Sequence, residues 1–190
     1  MTQAELDILL WMQEHLRTDL LDGLLKFISA LGNGGVFWIV LTVLLLCFKK
    51  TRKAGVASAV ALALMQIMGN MLIKPLVERA RPCDVEQAVD MIIGRPHGYS
   101  FPSGHTASSF AVVFAFCFAG SFLWKPALVL AAPIAFSRMY LFVHYPTDIL
   151  GGLMLGLVCG WLGAKIGRRL LYRFDLWNDA RRARRAGAAA

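Results

Sequence analysis

The sequence predicts an all-α fold: a polytopic membrane helix bundle with five to six transmembrane helices and an N-terminal amphipathic helix. Of the 190 residues, 57% are hydrophobic and only 17% are charged. The apolar residues form long runs that are separated by short charged loops. Such runs approach the ~20 residues that a helix needs to cross ~30 Å of hydrocarbon. We therefore expect residues 1–190 to form a single membrane domain.

Five apolar runs define the predicted transmembrane core, residues 28–166. In chain order they are Ile28–Phe48, Ala54–Ile73, His105–Trp124, Ala127–Val143 and Ile149–Ile166. The first run is weakened by Gly32-Asn33-Gly34-Gly35, and the last two runs are slightly short for a full span. Each run still predicts one crossing helix.

Residues 1–27 have a different pattern, in which leucines alternate with charged residues. Glu14, Arg17, Asp19 and Asp22 are too frequent for a helix that faces lipid on all sides. We expect one or two amphipathic helices that lie at the membrane interface. A sixth crossing helix is the alternative interpretation.

The net charge of +8 is unevenly distributed. Cations cluster in the short loop Lys49–Lys53 and among the arginines of a predicted tail, residues 167–190. This distribution is typical of cytoplasmic segments that contact anionic lipids. We do not expect nucleic-acid binding, because no recognition fold is visible.

Three polar clusters interrupt the apolar pattern, at positions where such groups are expensive in hydrocarbon. They are Lys74 with Arg81-Pro82, then Pro102-Ser103-Gly104-His105, then Ser137-Arg138 with His144 and Asp148. If the loop Lys49–Lys53 is cytoplasmic, the alternation of spans places all three clusters on the outer face of the membrane. The clusters are therefore candidates for one functional site.

The second cluster begins the third apolar run. Serine is a strong N-cap, and the N-terminus of a helix presents unpaired N–H groups that suit a phosphate. Gly104 would let an anion approach the backbone, with His105 beside it. The alternative is a capped helix start with an interfacial histidine.

The third cluster pairs His144 with Asp148. Pro146 suits the first turn of a helix, which places His144 in the turn just before it. A carboxylate that accepts a hydrogen bond from one imidazole nitrogen makes the other a better nucleophile or base. The alternative is an interfacial pair that merely caps a helix. Arg138 argues against it, since an unpaired cation inside an apolar run is costly.

Lys74, Arg81 and Arg138 together supply three cations that can surround one phosphate and stabilise its charge during transfer. The alternative is a set of cations that extend from the membrane surface into water. That alternative accounts well for Arg79 and Lys125 but poorly for Arg138. The four cysteines form no C-x-x-C pair, and no carboxylate cluster suggests a metal site.

The three clusters, in this order and spacing over residues 74–148, resemble the complete signature of the type 2 phosphatidic acid phosphatase superfamily. That superfamily includes lipid phosphate phosphatases, undecaprenyl-diphosphate phosphatases, glucose-6-phosphatase and vanadium haloperoxidases. The apolar spans resemble its membrane-bound branch. The resemblance implies that His144 attacks phosphorus to form a phosphohistidine, that Asp148 orients it, and that His105 is the general acid and base. Phosphate binding then falls to Lys74, Arg81, Ser103, Gly104 and Arg138, with no cofactor and no metal.

The resemblance further implies a multi-pass enzyme of the plasma or inner membrane, with its site on the outer face. Its expected substrate is a lipid mono- or diphosphate, with undecaprenyl diphosphate first and phosphatidylglycerophosphate or phosphatidic acid as alternatives. A non-catalytic lipid-binding or transport protein and a vanadate-dependent peroxidase are alternatives of other classes. Gly152, Gly156 and Gly160 recur every four residues and predict close helix packing, which we expect inside the bundle. A homodimer through this face is the other interpretation.

Overall fold

The computed structural model describes residues 3–187, and the side chains up to Asp179 together with that of Arg181. All the regular structure in residues 3–187 is helical, which confirms the predicted all-α fold class. The α-helices are α1 Gln3–His15, α2 Asp19–Leu31, α3 Val36–Cys47, α4 Arg52–Met65, α5 Lys74–Val77, α6 Pro82–Val85, α7 Gly104–Phe118, α8 Trp124–Tyr140 and α9 Pro146–Gly187.

Three helical stretches of the described chain are long and apolar enough to cross a membrane. They are Asp19–Cys47, Arg52–Val85 and Pro146–Asp179, and α7 is a shorter apolar helix. The first long stretch includes the first predicted span up to Cys47, and the other two contain the second and fifth predicted spans. Helices α7 and α8 correspond to the third and fourth spans. The total number of crossing helices stays a prediction.

The N-terminal region divides into two helices, and the second of them belongs to the first long stretch. Helix α2 begins at Asp19, before the predicted boundary at Ile28, because the side chain of Thr18 accepts a hydrogen bond from the N–H of Leu21 and caps the helix. The chain bends after α2, where Gly34 and Gly35 have φ angles of 58° and 68°. Glycine suits this left-handed conformation, so the glycine-rich break is a kink between α2 and α3.

Helix α9 is longer than the apolar run that predicts it. It begins at Pro146 and continues without interruption through the predicted basic tail to Gly187. Its C-terminal half is rich in arginine, leucine and alanine, which are strong helix formers, and contains no proline. Residues 188–190 of the predicted tail lie outside the described part of the chain.

Helices α7 and α9 pack closely through small residues. A Cβ atom added at Gly156 would lie 2.9 Å from the backbone nitrogen of Ala111, and one added at Gly152 would lie 2.8 Å from the carbonyl oxygen of Ser103. The glycine face therefore packs inside the bundle, as we expected. It does not carry the predicted homodimer, which stays a prediction.

Helix α1 covers the turn between α8 and α9. Leu6, Leu9 and Met12 of α1 form a buried cluster with residues 140–143 and Tyr145. The Nε2 amide of Gln13 also donates to the carbonyl oxygen of Tyr140 at 2.7 Å. The N-terminal helix thus packs directly on the segment that carries His144.

Candidate active site

His144 lies in a buried turn, residues 141–145, that joins α8 to α9. Phe142 has a φ of 58°, an unusual value for a residue other than glycine. Pro146 begins α9 and Asp148 lies in its first turn, as the sequence predicts. The side chains of His144 and Asp148 are 2% and 0% exposed, so both are removed from solvent.

The hydrogen bonds around His144 determine which imidazole nitrogen carries the proton. Its Nε2 atom lies 3.3 Å from a terminal nitrogen of Arg81, and a guanidinium can only donate. Nε2 therefore accepts, and Nδ1 carries the hydrogen and faces the Oδ2 atom of Asp148 at 3.4 Å, a long hydrogen bond. This arrangement leaves Nε2 without a proton beside the cations of the site, and a nucleophilic nitrogen requires an unprotonated lone pair.

Arg81 is a buried cation in a fixed orientation. It is extended, with φ −79° and ψ 156°, as expected for a residue before proline. Its guanidinium donates to the carbonyl oxygens of Gly98 at 2.9 Å, Val143 at 3.0 Å and Tyr99 at 3.2 Å. These bonds to the loop before α7 and to the turn before α9 hold the positive charge next to His144.

Arg138 and Lys74 approach the same place from two other helices. Arg138 is buried in the last turn of α8, where it donates to the hydroxyl of Ser29 on α2. Its Nε has no hydrogen-bond partner among the described residues. A Cβ atom added at Gly104 would lie 3.7 Å from the Nζ of Lys74, which places the ammonium group at the start of α7.

His105 completes the convergence. It is close enough to Arg138, Lys74, Arg81 and His144 for their charges to act on its imidazole. Its Nε2 lies 3.0 Å from the Oδ1 of Asn33. A Cβ at position 32 would lie 2.5 Å from the His105 ring, so glycine is required there by close approach. The structure therefore brings together the two histidines and three cations that the sequence predicts.

Ser103 has the capping role predicted from the sequence. Its hydroxyl oxygen accepts from the N–H and the hydroxyl of Thr106, and it is the N-cap of α7. Its own N–H donates to the backbone carbonyl oxygen of Asp148 at 3.1 Å, which joins the starts of α7 and α9. Direct contact between Ser103 and a phosphate stays a prediction.

Two cavities meet at His105. The first has a volume of about 670 Å³, a mainly apolar wall from α3 and α4, and a polar end at Lys74, Gly104 and His105. The second, of about 350 Å³, is lined by His105 and Arg138 together with Lys26, Ser29 and Asn33, and by residues of the loop before α7. Among the described residues, no carboxylate lines this second cavity, so its polar lining suits an anion.

Sequence reasoning missed Arg79 and Asn33. The interpretation of Arg79 as a surface cation is wrong. Its side chain is only 14% exposed, and it forms ion pairs with Glu5 and Asp148, each at 2.7 Å. A signal was available for both residues: Arg79 lies two positions before Arg81, and Asn33 is a lone amide inside an apolar run.

The described residues add neither a disulfide nor a cluster of metal ligands to this site. All four cysteines are free. Within the described residues, no three side chains of histidine, cysteine, aspartate or glutamate lie together as metal ligands. The chemistry of the site is that of imidazoles, one carboxylate and fixed cations, which suits transfer of a phosphoryl group.

Comparison with known proteins agrees with this chemistry. Residues 50–171 match the family model of the PAP2 superfamily. The undecaprenyl-diphosphatase of Sulfolobus acidocaldarius is 31% identical over 147 residues, which cover 77% of this chain and 70% of that protein. The lipid A 4'-phosphatase of Bacteroides thetaiotaomicron is 32% identical, over 78% of this chain and 72% of that protein.

A solved structure has the same fold. The crystal structure of a transmembrane PAP2-type phosphatidylglycerolphosphate phosphatase from Bacillus subtilis superimposes with a TM-score of 0.72 and is 25% identical. The match covers 88% of this chain and 86% of that one. Fold and site thus define an integral membrane phosphatase that acts on lipid phosphates. The chain belongs to the PAP2 superfamily.

Proposed function

We propose that this chain hydrolyses lipid phosphates through a phosphohistidine at His144, and that undecaprenyl diphosphate is its preferred substrate. The observation that carries the proposal is the convergence of His144, His105 and three cations on one place. Phosphatidylglycerophosphate and phosphatidic acid are the alternative substrates. The fixed nucleophile, its carboxylate and a second imidazole favour catalysis over lipid binding or transport alone.

In the first step, the Nε2 lone pair of His144 attacks the terminal phosphorus. A P–N bond forms while the bond from phosphorus to the leaving oxygen breaks, and His105 donates a proton to that oxygen. Arg81, Arg138 and Lys74 stabilise the charge on the other phosphate oxygens. Asp148 stabilises the positive charge that His144 acquires.

In the second step, water replaces His144. His105, now without its proton, accepts one from the water as it attacks phosphorus. The P–N bond breaks and returns the lone pair to Nε2, and inorganic phosphate leaves. Two displacements of moderate barrier thus replace one difficult displacement.

The two cavities support a diphosphate carried by a long apolar chain. The apolar wall of the first cavity suits a prenyl chain that remains in the bilayer. The second cavity, with Lys26, Arg138 and Asn33, provides cations and an amide for the second phosphate next to His105. A simple phosphate monoester would leave these groups unused, which is why we place the diphosphate first.

Phosphate release from undecaprenyl diphosphate tests the proposal. We expect the purified protein to release phosphate in EDTA, and His144→Ala to abolish the release, because this variant lacks the proposed nucleophile of the covalent intermediate. His15→Ala is the matched control, since His15 stacks on Trp11 and is half exposed. The same assay on phosphatidylglycerophosphate and phosphatidic acid ranks the substrates.

Unchanged release in His144→Ala would exclude the nucleophile. A comparison of substrates in Lys26→Ala sharpens the choice of lipid. We expect its KM to rise for the diphosphate by about two- to fivefold, as for one exposed charge pair, and to stay constant for a monophosphate. An equal change for both substrates would remove the support for a diphosphate.

The location of the site on the outer face of the membrane is part of the proposal. The basic loop Lys49–Lys53 and the arginines after Gly167 favour a cytoplasmic position next to anionic lipids. The site lies at the other ends of the helices that these segments follow or precede. A reporter fused after Ala190 should be active in the cytoplasm, and activity outside the membrane would reverse this orientation.

A further inference from the structure

Arg79 connects the N-terminal helix to the active site. It lies between α5 and α6, and one guanidinium nitrogen donates to the Oδ1 of Asp148 at 2.7 Å. The other terminal nitrogen donates to the Oε2 of Glu5 on α1, also at 2.7 Å. The guanidinium lies over the ring of Tyr145, 4.1 Å from its centroid. We call this arrangement the Glu5–Arg79–Asp148 bridge.

The bridge leaves the carboxylate of Asp148 with one orientation. Oδ1 accepts from Arg79, whereas Oδ2 accepts from the N–H of Tyr145 at 2.8 Å and faces the Nδ1 of His144. Both oxygens of this fully buried carboxylate therefore have fixed donors. If Arg79 were absent, Oδ1 would lose its charged donor in a place without solvent, and the carboxylate would be free to rotate away from His144.

Glu5 holds the opposite side of the bridge and also the start of α9. Its Oε1 accepts from the N–H and the hydroxyl of Thr147, at 3.1 and 2.5 Å. A carboxylate suits the N-terminus of a helix, where N–H groups lack helical partners. Burial raises the pKa of Glu5, but the hydrogen bonds from Thr147 and Arg79 outweigh burial and leave it below its usual value. Glu5 is thus held as a carboxylate.

The apolar contacts of α1 act in the same place. Leu6 and Leu9 belong to the same buried cluster as Phe142 and Val143, which lie in the turn that carries His144. The same helix therefore covers the turn with its apolar face, and its Glu5 accepts hydrogen bonds from Arg79 and Thr147. Polar and apolar contacts agree that α1 is part of the active-site framework.

We propose that Arg79 and Glu5 are positioning residues, through which helix α1 holds Asp148 in the orientation that His144 needs for attack. The inference rests on the proposed function for its effect on turnover. The orientation of Asp148 and His144 can be tested without any turnover.

Charges around Asp148 give the two residues distinguishable effects. Besides Arg79 and Glu5, the groups that face it are His144, Tyr145, Lys74 and Arg81. Arg79→Gln removes the charged donor of the Oδ1 of Asp148, so the carboxylate loses its fixed orientation. Glu5→Gln keeps that donor and removes only the anion that holds Arg79 from the other side, so its effect on Asp148 should be smaller.

The kinetic test compares Arg79→Gln, Arg79→Lys, Glu5→Gln and the control Arg17→Gln. Arg17 is also paired with two carboxylates, those of Asp22 and Asp90, but it contacts none of the proposed site residues. For Arg79→Gln we expect a kcat lower by about 10–100-fold, by analogy with the hydrogen-bond partners that orient metal ligands, with KM within about twofold.

Arg79→Lys keeps a cation and should recover part of the kcat. Glu5→Gln should lower kcat by less than Arg79→Gln. Arg17→Gln should leave kcat and KM unchanged. An Arg79→Gln enzyme with the wild-type kcat, or with a KM that rises as much as its kcat falls, would overturn the inference.

Nitrogen NMR of 15N-histidine-labelled protein in detergent provides the test that does not depend on lipid hydrolysis. The His144 signals are identified by their absence in His144→Ala. In the wild type we expect a single tautomer with the proton on Nδ1, and in Arg79→Gln a mixture of tautomers. Unchanged His144 shifts in Arg79→Gln would refute the positioning role even in a protein with no phosphatase activity.

Discussion

Helices α7 and α9 meet in two regions that follow different rules. At their N-terminal ends they carry His105 and Asp148, and the helices are joined there by a hydrogen bond from Ser103 to the carbonyl oxygen of Asp148. Further along, they meet through a seam in which Gly156 and Gly160 of α9 face Ala111 and the backbone of α7. The first region is defined by directional polar contacts and the second by the near absence of side chains.

The difference shows how one helix pair can combine chemistry with rigidity. At the polar end, the identity of each group matters because buried donors and acceptors must find partners. Along the seam, volume matters because the backbones are already in contact. Substitutions at the N-terminal ends of the two helices should therefore lower activity, whereas substitutions along the glycine seam should lower stability.

The largest difference between the effect on activity and the effect on stability is expected for His105→Ala at the polar end. Loss of the general acid should lower kcat by about 10²–10⁴-fold. Phosphate affinity should be mostly retained, because Lys74, Arg81 and Arg138 are unchanged. The temperature of unfolding should change little, since the His105 side chain borders two cavities. Steady-state kinetics and phosphate inhibition on one preparation measure both quantities.

A fall in kcat of less than tenfold would argue against His105 as the acid. Phosphate inhibition that disappears together with turnover would instead place His105 among the binding groups. Asn33→Ala provides a graded comparison, because it removes the Oδ1 that lies 3.0 Å from the imidazole but leaves the imidazole itself. Its kcat should lie between those of the wild type and His105→Ala.

Much of the polar end could be predicted from the sequence, because its groups are individually improbable in a membrane. Arg138 inside an apolar run and Ser103 before a helix start each have few alternative explanations. The glycines of the seam were predictable for a related reason, since their four-residue spacing places them on one helix face. Both kinds of feature are local in the sequence. The free-energy cost of a polar group in hydrocarbon reveals the first kind, and the four-residue spacing of the glycines reveals the second.

The Glu5–Arg79–Asp148 bridge could not be predicted in this way. Glu5 and Thr147 are 142 positions apart, and nothing in the amphipathic pattern of α1 distinguishes Glu5 from the neighbouring charges of residues 1–27. Arg79 resembles a loop cation until the position of α1 is known. The start of α2 at Asp19 is also hard to predict, because the frequent charges in residues 1–27 obscure the N-cap at Thr18. Such contacts depend on tertiary packing, which a single sequence does not encode in local spacing.

A substitution in the glycine seam should have a smaller effect than His105→Ala, and it should lower stability rather than turnover. In Gly156→Ala the new methyl group would lie 2.9 Å from Ala111 N and from Phe110 Cβ, so α7 and α9 must move apart. Overpacking of this kind costs about 1–3 kcal/mol, and we expect a lower unfolding temperature in detergent. The control is Gly23→Ala on α2, where the new Cβ meets nothing within 4 Å and the helix should gain about 0.5–1 kcal/mol. Turnover per folded molecule should fall much less in Gly156→Ala than in His105→Ala. A Gly156→Ala protein as stable as Gly23→Ala would show that α7 and α9 can accommodate the added methyl group. The proposed division between a catalytic end and a closely packed seam on this helix pair would then be wrong.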